Sequence, residues 1–96
     1  MIYELQLYTQ NKCGWCIQLE QNLTDWGFEY EILNITLDED AKQFMKDKGH
    51  KTVPQLYYRG KDVMKGASEN LTSETLQDNI DRVEWPNLDS GIEGKL

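Results

Sequence analysis

The apolar positions in the first third of the chain follow a strand pattern, then a helix pattern, then a strand pattern again. Residues 2–8 are rich in aromatic and branched side chains and run into a polar loop, which predicts a first strand. Across residues 13–26 the apolar positions recur at the spacing of a helix, and Gly27 is a suitable end for it. Residues 28–35 alternate once more and predict a second strand.

The middle of the chain predicts a helix followed by a hairpin. Acidic residues at positions 38–40 suit the positive end of a helix dipole, and they predict a second helix that ends at Gly49. Residues 55–59 and 62–65 are extended segments on either side of the short turn Arg-Gly-Lys, an arrangement typical of an antiparallel hairpin.

Helical spacing returns near the C-terminus, from Leu76 to Val83. This last helix is predicted to end near residue 85, and residues 86–96 show little periodicity. The length of the chain suits a single core. We therefore expect one domain over residues 1–85 and a C-terminal tail over residues 86–96.

The predicted element order is β-α-β-α-β-β-α, which indicates an α/β fold with a four-stranded mixed sheet flanked by helices. Strands joined through helices are expected to pair in parallel by right-handed crossovers. Ligands of such folds bind at the sheet edge where the parallel strands end, so chemistry is expected there.

The charge of the chain indicates which kinds of molecule it can bind. The formal net charge of −7 argues against binding to nucleic acid. Between residues 42 and 65, however, seven basic residues stand against two acidic ones, and this local excess could steer a small anion to one side of the fold. The opening residues lack the pattern of a secretion signal, and no apolar run is long enough to span a membrane. We therefore expect a cytoplasmic, monomeric protein without a membrane partner.

Cys13 and Cys16 lie where the first predicted strand gives way to the first predicted helix. Unpaired N–H groups and the helix dipole favour a thiolate there, and the pKa of a thiol, near 8.5 in free cysteine, can fall to roughly 3.5–7.5. Lys12 adds a positive charge beside Cys13. Cys16, one turn further, is expected to be buried, to keep its proton and to attack a mixed disulfide formed on Cys13.

A Cys-x-x-Cys pair also occurs in zinc sites and in structural crosslinks. Zinc takes four ligands, and His50 is the one imidazole of the chain that could join the two thiols, so no metal site is expected. A crosslink that closes so short a loop constrains little of the unfolded chain. The pair is therefore interpreted as reactive.

Two further segments could hold a ligand. A cis bond before Pro54 would turn the backbone groups of Val53 outward, where they could pair with an extended peptide or tripeptide; alternatively, the proline merely starts a strand. The small-residue turn at residues 66–71, GASENL, has successive N–H groups that could hold a carboxylate.

Taken together, these segments resemble the glutaredoxins over roughly residues 1–83: KCGWC after the first strand, TVPQLYY entering the third, and GASENL where that family has a Gly-Gly-x-x-Asp-Leu type of sequence. The resemblance implies a thioredoxin-like fold. It implies that Cys13 attacks a protein disulfide or a glutathionylated protein, that Cys16 resolves the dithiol reaction, and that glutathione regenerates the enzyme.

The resemblance also implies a set of glutathione contacts. Val53 would pair with the cysteinyl backbone of glutathione, with Trp15 and Pro54 against it. The glycine carboxylate would meet a cation, Lys12 or Lys51, with His50 beside them. The remaining contacts carried over from the family are Thr52, and at the γ-glutamyl end Gly66, Ser68 and Glu69.

The chain departs from the family pattern at three positions and leaves two other functions open. Gly14 stands where proline is usual, Ala67 replaces the second glycine and Asn70 replaces an acidic residue. Glutaredoxins without that proline include members that bridge a [2Fe-2S] cluster between two protomers, with Cys13 as the protein ligand here and glutathione as the other. A third hypothesis is a donor that takes electrons from thioredoxin reductase and passes them to ribonucleotide reductase.

Overall fold

The helices and strands follow one another in the predicted order. The structure is a computed structural model, and it describes residues 4–85. Its elements are β1 (Leu5–Thr9), α1 (Gly14–Asp25), β2 (Glu31–Asn34), α2 (Glu39–Asp47), β3 (Gln55–Tyr58), β4 (Lys61–Asp62) and α3 (Ser73–Glu84), with a 3-10 helix at Ser68–Asn70 before α3. The predicted tail over residues 86–96 lies outside the described residues.

The four strands form one mixed sheet in the order β2-β1-β3-β4. β1 pairs in parallel with β2, with Leu7 opposite Ile32, and antiparallel with β3, with Leu7 opposite Leu56. β3 and β4 form the predicted antiparallel hairpin, with Tyr58 opposite Lys61. The prediction of a four-stranded mixed sheet flanked by helices is confirmed.

The pairing predicted for the second crossover is wrong. β2 and β3 are joined through α2 but do not pair in parallel, because β3 lies on the far side of β1 and runs antiparallel to it. Burial gives the physical reason: every side chain of β3 and four of the five in β1 are buried, whereas β2 is half-buried or exposed. The two most apolar strands pair at the centre, and β2 is left at the edge.

The core has two parts, one on each face of the sheet. Leu7 and Leu56 are fully buried and pack with Leu19 of α1 and Leu76 of α3. Each such leucine contributes about 1.5–3 kcal/mol relative to an exposed one. This face fixes α1 against β1, and α1 carries the two cysteines.

The second part of the core is largely aromatic and fixes α2. Tyr8 of β1 stacks on Phe44, with ring centroids 5.0 Å apart, and Tyr57 of β3 meets both rings edge-on. Ala41 and Met45 complete this cluster from α2. α2 is thereby held across the face opposite to α1 and α3.

Glycines end α1 and α2 by the same hydrogen-bond pattern. After α1, the N–H of Gly27 donates to the carbonyl of Thr24 and the N–H of Phe28 to that of Leu23, the Schellman motif with glycine at positive φ. The motif turns the chain so that β2 begins at Glu31, later than predicted. Gly49 ends α2 in the same way, and the N–H of His50 donates to Met45. None of the helices within residues 4–85 is long and apolar enough to cross a membrane.

Candidate active site

Cys13 is the N-cap of α1. Its backbone is extended, and its sulfur accepts a hydrogen bond from the N–H of Cys16 at 3.1 Å. The first turn of α1, Gly-Trp-Cys-Ile, contains no acidic side chain that would compete for this end of the dipole. In the reduced protein the same donor and dipole favour a thiolate on Cys13.

The two cysteines are joined in a disulfide and differ in exposure. Cys13 is half-buried, whereas Cys16, within the first turn of α1, is only 1% exposed. A bulky disulfide substrate can therefore reach the sulfur of Cys13 but not that of Cys16. This asymmetry separates an attacking sulfur from an internal one.

The loop before Cys13 is tied to the loop after β2 by a ring of hydrogen bonds that the sequence analysis missed. The N–H of Asn11 donates to Oγ1 of Thr36 at 3.0 Å, and Nδ2 of Asn34 donates to Oδ1 of Asn11 at 2.9 Å. The N–H of Thr36 closes the ring on Oδ1 of Asn34 at 2.9 Å. Asn34 ends β2 and Asn11 follows the parallel strand β1, so the convergence of those strand ends was a signal that could have revealed the ring.

The Val53-Pro54 segment lies at the same end of the sheet as Cys13. Tyr8 is opposite Gln55, so Pro54 lies level with the end of β1, where the chain enters the cysteine loop. The peptide bond between Val53 and Pro54 is cis, and β3 begins at the next residue, Gln55. Pro54 is buried and Val53 half-buried, and the backbone N–H and C=O of Val53 have no hydrogen-bond partner among residues 4–85.

A cavity of about 200 Å³ opens beside Val53. Three of the residues predicted as glutathione contacts, Lys51, Thr52 and Val53, line it together with His50. Its polar and charged lining consists of Gln10, Lys42, Lys46, His50, Lys51 and Thr52. Lys42 and Lys46 were missed, although their i,i+4 spacing within the basic segment places them on one face of α2.

His50 is fixed at the wall of this cavity by the aromatic core. Its Nε2 lies 2.7 Å from the hydroxyl of Tyr57, and the two rings meet edge-on. Burial raises the pKa of Tyr57, and Asp62 adds to the effect, so the phenol stays protonated at neutral pH. The His50 side chain is therefore held against Tyr57 at the wall of the cavity.

The other residues predicted to contact glutathione lie outside the 200 Å³ cavity. Trp15 is 54% exposed on the first turn of α1, and Lys12 is exposed before it; neither lines the 200 Å³ cavity. Gly66, at φ 139°, lines a second cavity of about 290 Å³ together with Asn70. Ser68 and Glu69 belong to the 3-10 helix, which packs against α1, and neither of these two residues lines either cavity.

The sequence profile of the glutaredoxin family matches residues 5–63. The chain belongs to the glutaredoxin family. The family is one of thiol–disulfide oxidoreductases, and the Cys13–Cys16 pair fits its Cys-x-x-Cys active site.

Curated relatives of this glutaredoxin-family chain include two proteins of different length. Human Glutaredoxin-3 is 37% identical over 65 residues, which is 62% of this chain and 19% of that protein. The chain thus spans about a fifth of the length of the Glutaredoxin-3 relatives it matches. The glutaredoxin-like protein NrdH of Salmonella typhimurium is 30% identical over 50 residues, 52% of this chain and 62% of that one.

Solved structures show that the fold is thioredoxin-like. The thioredoxin-like protein BC3987 superposes with a TM-score of 0.61 at 24% identity, covering 78% of this chain and 97% of that one. A buckwheat glutaredoxin–glutathione complex superposes with a TM-score of 0.61 at 17% identity, covering 80% and 72%. The predicted fold class and family are confirmed.

Proposed function

We propose that this protein is a glutathione-dependent thiol–disulfide oxidoreductase that reduces protein disulfides and glutathione mixed disulfides. The observation that supports it best is the position of Cys13, the N-cap of α1, with the unpaired backbone of Val53 and a lysine-lined cavity at the same end of the sheet. A sulfur held as an anion and a cradle for a charged tripeptide are the two requirements of this reaction.

In the reaction with a glutathionylated protein, the thiolate of Cys13 attacks the sulfur of the glutathionyl group. The bond between that sulfur and the protein sulfur breaks, and the protein thiolate leaves and takes a proton. A mixed disulfide then joins Cys13 to glutathione. A second glutathione thiolate attacks the glutathionyl sulfur, which releases oxidised glutathione and restores the thiolate of Cys13.

In the reaction with a protein disulfide, Cys16 resolves the intermediate. Cys13 first forms a mixed disulfide with the substrate protein, and the thiol of Cys16 loses its proton and attacks the sulfur of Cys13. The substrate leaves as a dithiol, and the enzyme is left with the Cys13–Cys16 disulfide that the structure contains. Two glutathione molecules reduce that disulfide and are themselves oxidised.

The proposed binding mode uses the residues carried over from the family. The backbone of Val53 pairs with the cysteinyl backbone of glutathione, which is supported by its unpaired N–H and C=O. The glycine carboxylate meets the cations, supported by the lysines around the cavity. The full proposed set is Lys12, Trp15, Lys51, Thr52, Val53, Pro54, Gly66, Ser68 and Glu69.

The test is glutathione-dependent reduction of two substrates, a glutathionylated peptide and a protein disulfide, by wild type, Cys13→Ser and Cys16→Ser. We expect no activity from Cys13→Ser on either substrate. Cys16→Ser should keep deglutathionylation and lose dithiol reduction, because only the second reaction needs an internal attack. Equal loss of both activities in Cys16→Ser would contradict the assigned roles.

A second candidate function uses the same sulfurs with a different reductant. The relationship to NrdH favours a donor that takes electrons from thioredoxin reductase and supplies, for example, ribonucleotide reductase. Supplying either glutathione with its reductase or thioredoxin reductase alone, each with NADPH, separates the two candidates. Faster turnover with thioredoxin reductase would favour the second.

A [2Fe-2S] carrier fits the residues less well. Such a cluster takes four thiolates, and Cys16 is buried, so each chain offers only Cys13 and the remaining ligands would come from a second chain and from glutathione. Visible absorbance of freshly purified anaerobic protein, together with its mass in solution, tests this function.

A further inference from the structure

The outer edge of the sheet carries exposed apolar side chains that the proposed chemistry does not use. β2 is the edge strand, and β1 is its only partner within the described part of the chain. Ile32 of β2 is 47% exposed, and Leu37, in the turn that follows, is 78% exposed. Exposed apolar side chains on an edge strand and in the turn beside it are typical of a surface that another chain covers.

These residues line an open groove of about 490 Å³, which we call the β2 groove. Leu33 and Asn34 form part of its wall, and the start of α2 provides an acidic rim. The acidic residues of the rim are Asp38, Glu39 and Asp40. None of the described residues that line the groove is basic, so the apolar floor lies in a negative potential.

The β2 groove begins at the active-site loop. Asn34 lines the groove, and its Nδ2 donates to the side chain of Asn11, two residues before Cys13. A protein whose disulfide is in contact with Cys13 can therefore extend along the groove without leaving the surface. The start of α2 lines the groove with acidic residues, whereas Lys42 and Lys46, further along α2, line the cavity beside Val53, so the two sites carry opposite charge.

Charge selects the occupant of the groove. A second copy of this chain carries the same acidic rim and the same net charge of −7, so two copies repel one another. The segment over residues 86–96 contains two acidic residues against one lysine, so it does not complement the rim either. A basic segment with apolar side chains neutralises the rim and covers Ile32 and Leu37 together.

We propose that the β2 groove docks protein partners through an extended segment in which basic and apolar residues alternate. The inference deepens the proposed function and rests on it in one respect, namely that the docked protein is the one whose disulfide Cys13 attacks. Docking there would make the enzyme prefer disulfides on basic proteins, while glutathione uses the separate, lysine-lined cavity.

Binding is tested first, without any thiol chemistry. Two cysteine-free peptides, one alternating Leu with Lys and one alternating Leu with Glu, are titrated into the full-length ¹⁵N-labelled protein. We expect the Lys peptide to shift amides of residues 31–40 and the Glu peptide to leave them unchanged. Equal shifts with both peptides, or shifts of the Lys peptide confined to other surfaces, would overturn the proposal.

Variants then test the residues of the groove. Leu37→Ser and the double variant Glu39→Gln/Asp40→Asn should each weaken binding of the Lys peptide about three- to tenfold. Glu74→Gln is the matched control, because Glu74 is an exposed acidic residue in the first turn of α3 and lies outside the groove. If Leu37→Ser instead shifts amides of residues 88–96, that segment covers the groove and the proposal is wrong.

Kinetics separates this proposal from the function on which it rests. The same flanking sequences are placed around a glutathionylated cysteine, and kcat/KM is compared with that for a small disulfide. The groove variants should lower kcat/KM for the basic peptide about three- to tenfold and leave the small disulfide unchanged. If wild type fails on the small disulfide, the proposed function fails, while the peptide titration still decides the docking.

Discussion

Two cysteines three residues apart differ in reactivity because of where α1 begins. Cys13 is the N-cap and accepts the Cys16 N–H, whereas the side chain of Cys16 points into the core. The difference therefore depends on local backbone geometry. Exchanging the two environments would require α1 to begin at another residue.

We predict that Cys13 of reduced Cys16→Ser protein exists as thiolate at a lower pH than free cysteine, whose pKa is near 8.5. Iodoacetamide alkylation rates measured against pH would show this. Ile17→Glu should raise the midpoint by about half a pH unit, because it places a negative charge in the first turn of α1. Ile17 is exposed, so Ile17→Gln serves as its uncharged control. A midpoint for Cys16→Ser, without any change at Ile17, that equals that of free cysteine would remove the basis of the mechanism.

A second charged cluster lies at the opposite end of the sheet from the cysteines. The hydroxyl of Tyr58 lies 2.9 Å from Oε1 of Glu4 and 2.5 Å from Oε2 of Glu84, and Arg59 bridges to Glu4 at 2.9 Å. Burial raises the pKa of Tyr58, and its bonds to Glu84 and Glu4 raise it further. The hydrogen bond from Tyr58, and then that from Arg59, lowers the pKa of Glu4.

The lowered pKa of Glu4 gives stability a pH dependence of defined sign. The stabilisation is complete above the ordinary carboxylate pKa of 4.5 and is lost as the pH falls through the lower value of the folded state. Tyr58→Phe removes the hydrogen bond that lowers this pKa, so it should lower the free energy of unfolding at pH 7 and reduce the fall of that free energy on acidification. Urea unfolding at pH 7 and below pH 4 measures both effects.

Tyr30→Phe is the control for that measurement. The hydroxyl of Tyr30 donates to the backbone carbonyl of Glu20 and meets the hydroxyl of Thr24, so it faces no carboxylate. Its removal should cost stability without altering the pH dependence. If the free energy of unfolding of Tyr58→Phe falls on acidification as steeply as that of wild type, the pKa of Glu4 does not depend on the phenol.

At the scale of elements, the ring formed by Asn11, Asn34 and Thr36 joins the cysteine loop to the end of β2. We predict that Asn34→Ala destabilises the fold by about 1 kcal/mol, because two hydrogen bonds of the ring are lost. It should also slow the reaction of Cys13 and speed amide exchange at Asn11. Amide exchange and alkylation rates, measured on the same protein, check these outcomes.

Asn22→Ala provides the comparison for Asn34→Ala. Asn22 accepts a side-chain hydrogen bond from Gln18 within α1 and does not join separate elements. Its loss should leave the rate of Cys13 alkylation unchanged. If both variants slow alkylation equally, the effect belongs to general stability and not to the ring.

Local patterns revealed the elements but not all of their partners. Composition in β1, alternation in β2 and the turn after β3 predicted three strands correctly, yet nothing in these local features says that β3 pairs with β1 from the far side. That choice depends on which strands bury most surface, a property of the assembled sheet. β4 is shorter than predicted because the side chain of Asp62 accepts the N–H groups of Met64 and Lys65 and turns the chain.

The candidate site was predictable where it is contiguous in sequence and not where it is assembled from separate elements. The Cys-x-x-Cys pair and Thr52-Val53-Pro54 are short motifs, and the structure places them at one end of the sheet. The cations from α2 enter the cavity only because the aromatic cluster orients that helix. The i,i+4 spacing of Lys42 and Lys46 places them on one face of α2, but it does not say that this face meets the cavity.

For the whole molecule, the net charge of −7 conceals a local excess of positive charge at the proposed glutathione cavity. Glutathione is an anion, so the acidic remainder of the protein repels it and the lysines of the cavity must offset that repulsion. At physiological ionic strength, dissolved salt screens the interaction between charges that are more than about 8 Å apart. Long-range repulsion is therefore weakened by salt more than the close contacts in the cavity.

We predict that the double variant Lys42→Gln/Lys46→Gln raises the KM for glutathione about two- to fivefold and leaves kcat unchanged, since these cations bind substrate without touching the sulfur. Lys61→Gln, at the far edge of the sheet in β4, removes the same type of charge and should leave KM unchanged. Steady-state kinetics at low and at physiological ionic strength separates the two cases. A change in KM shared by both variants would mean that the net charge of the molecule governs glutathione binding, whereas a change confined to the α2 pair means that the cavity does.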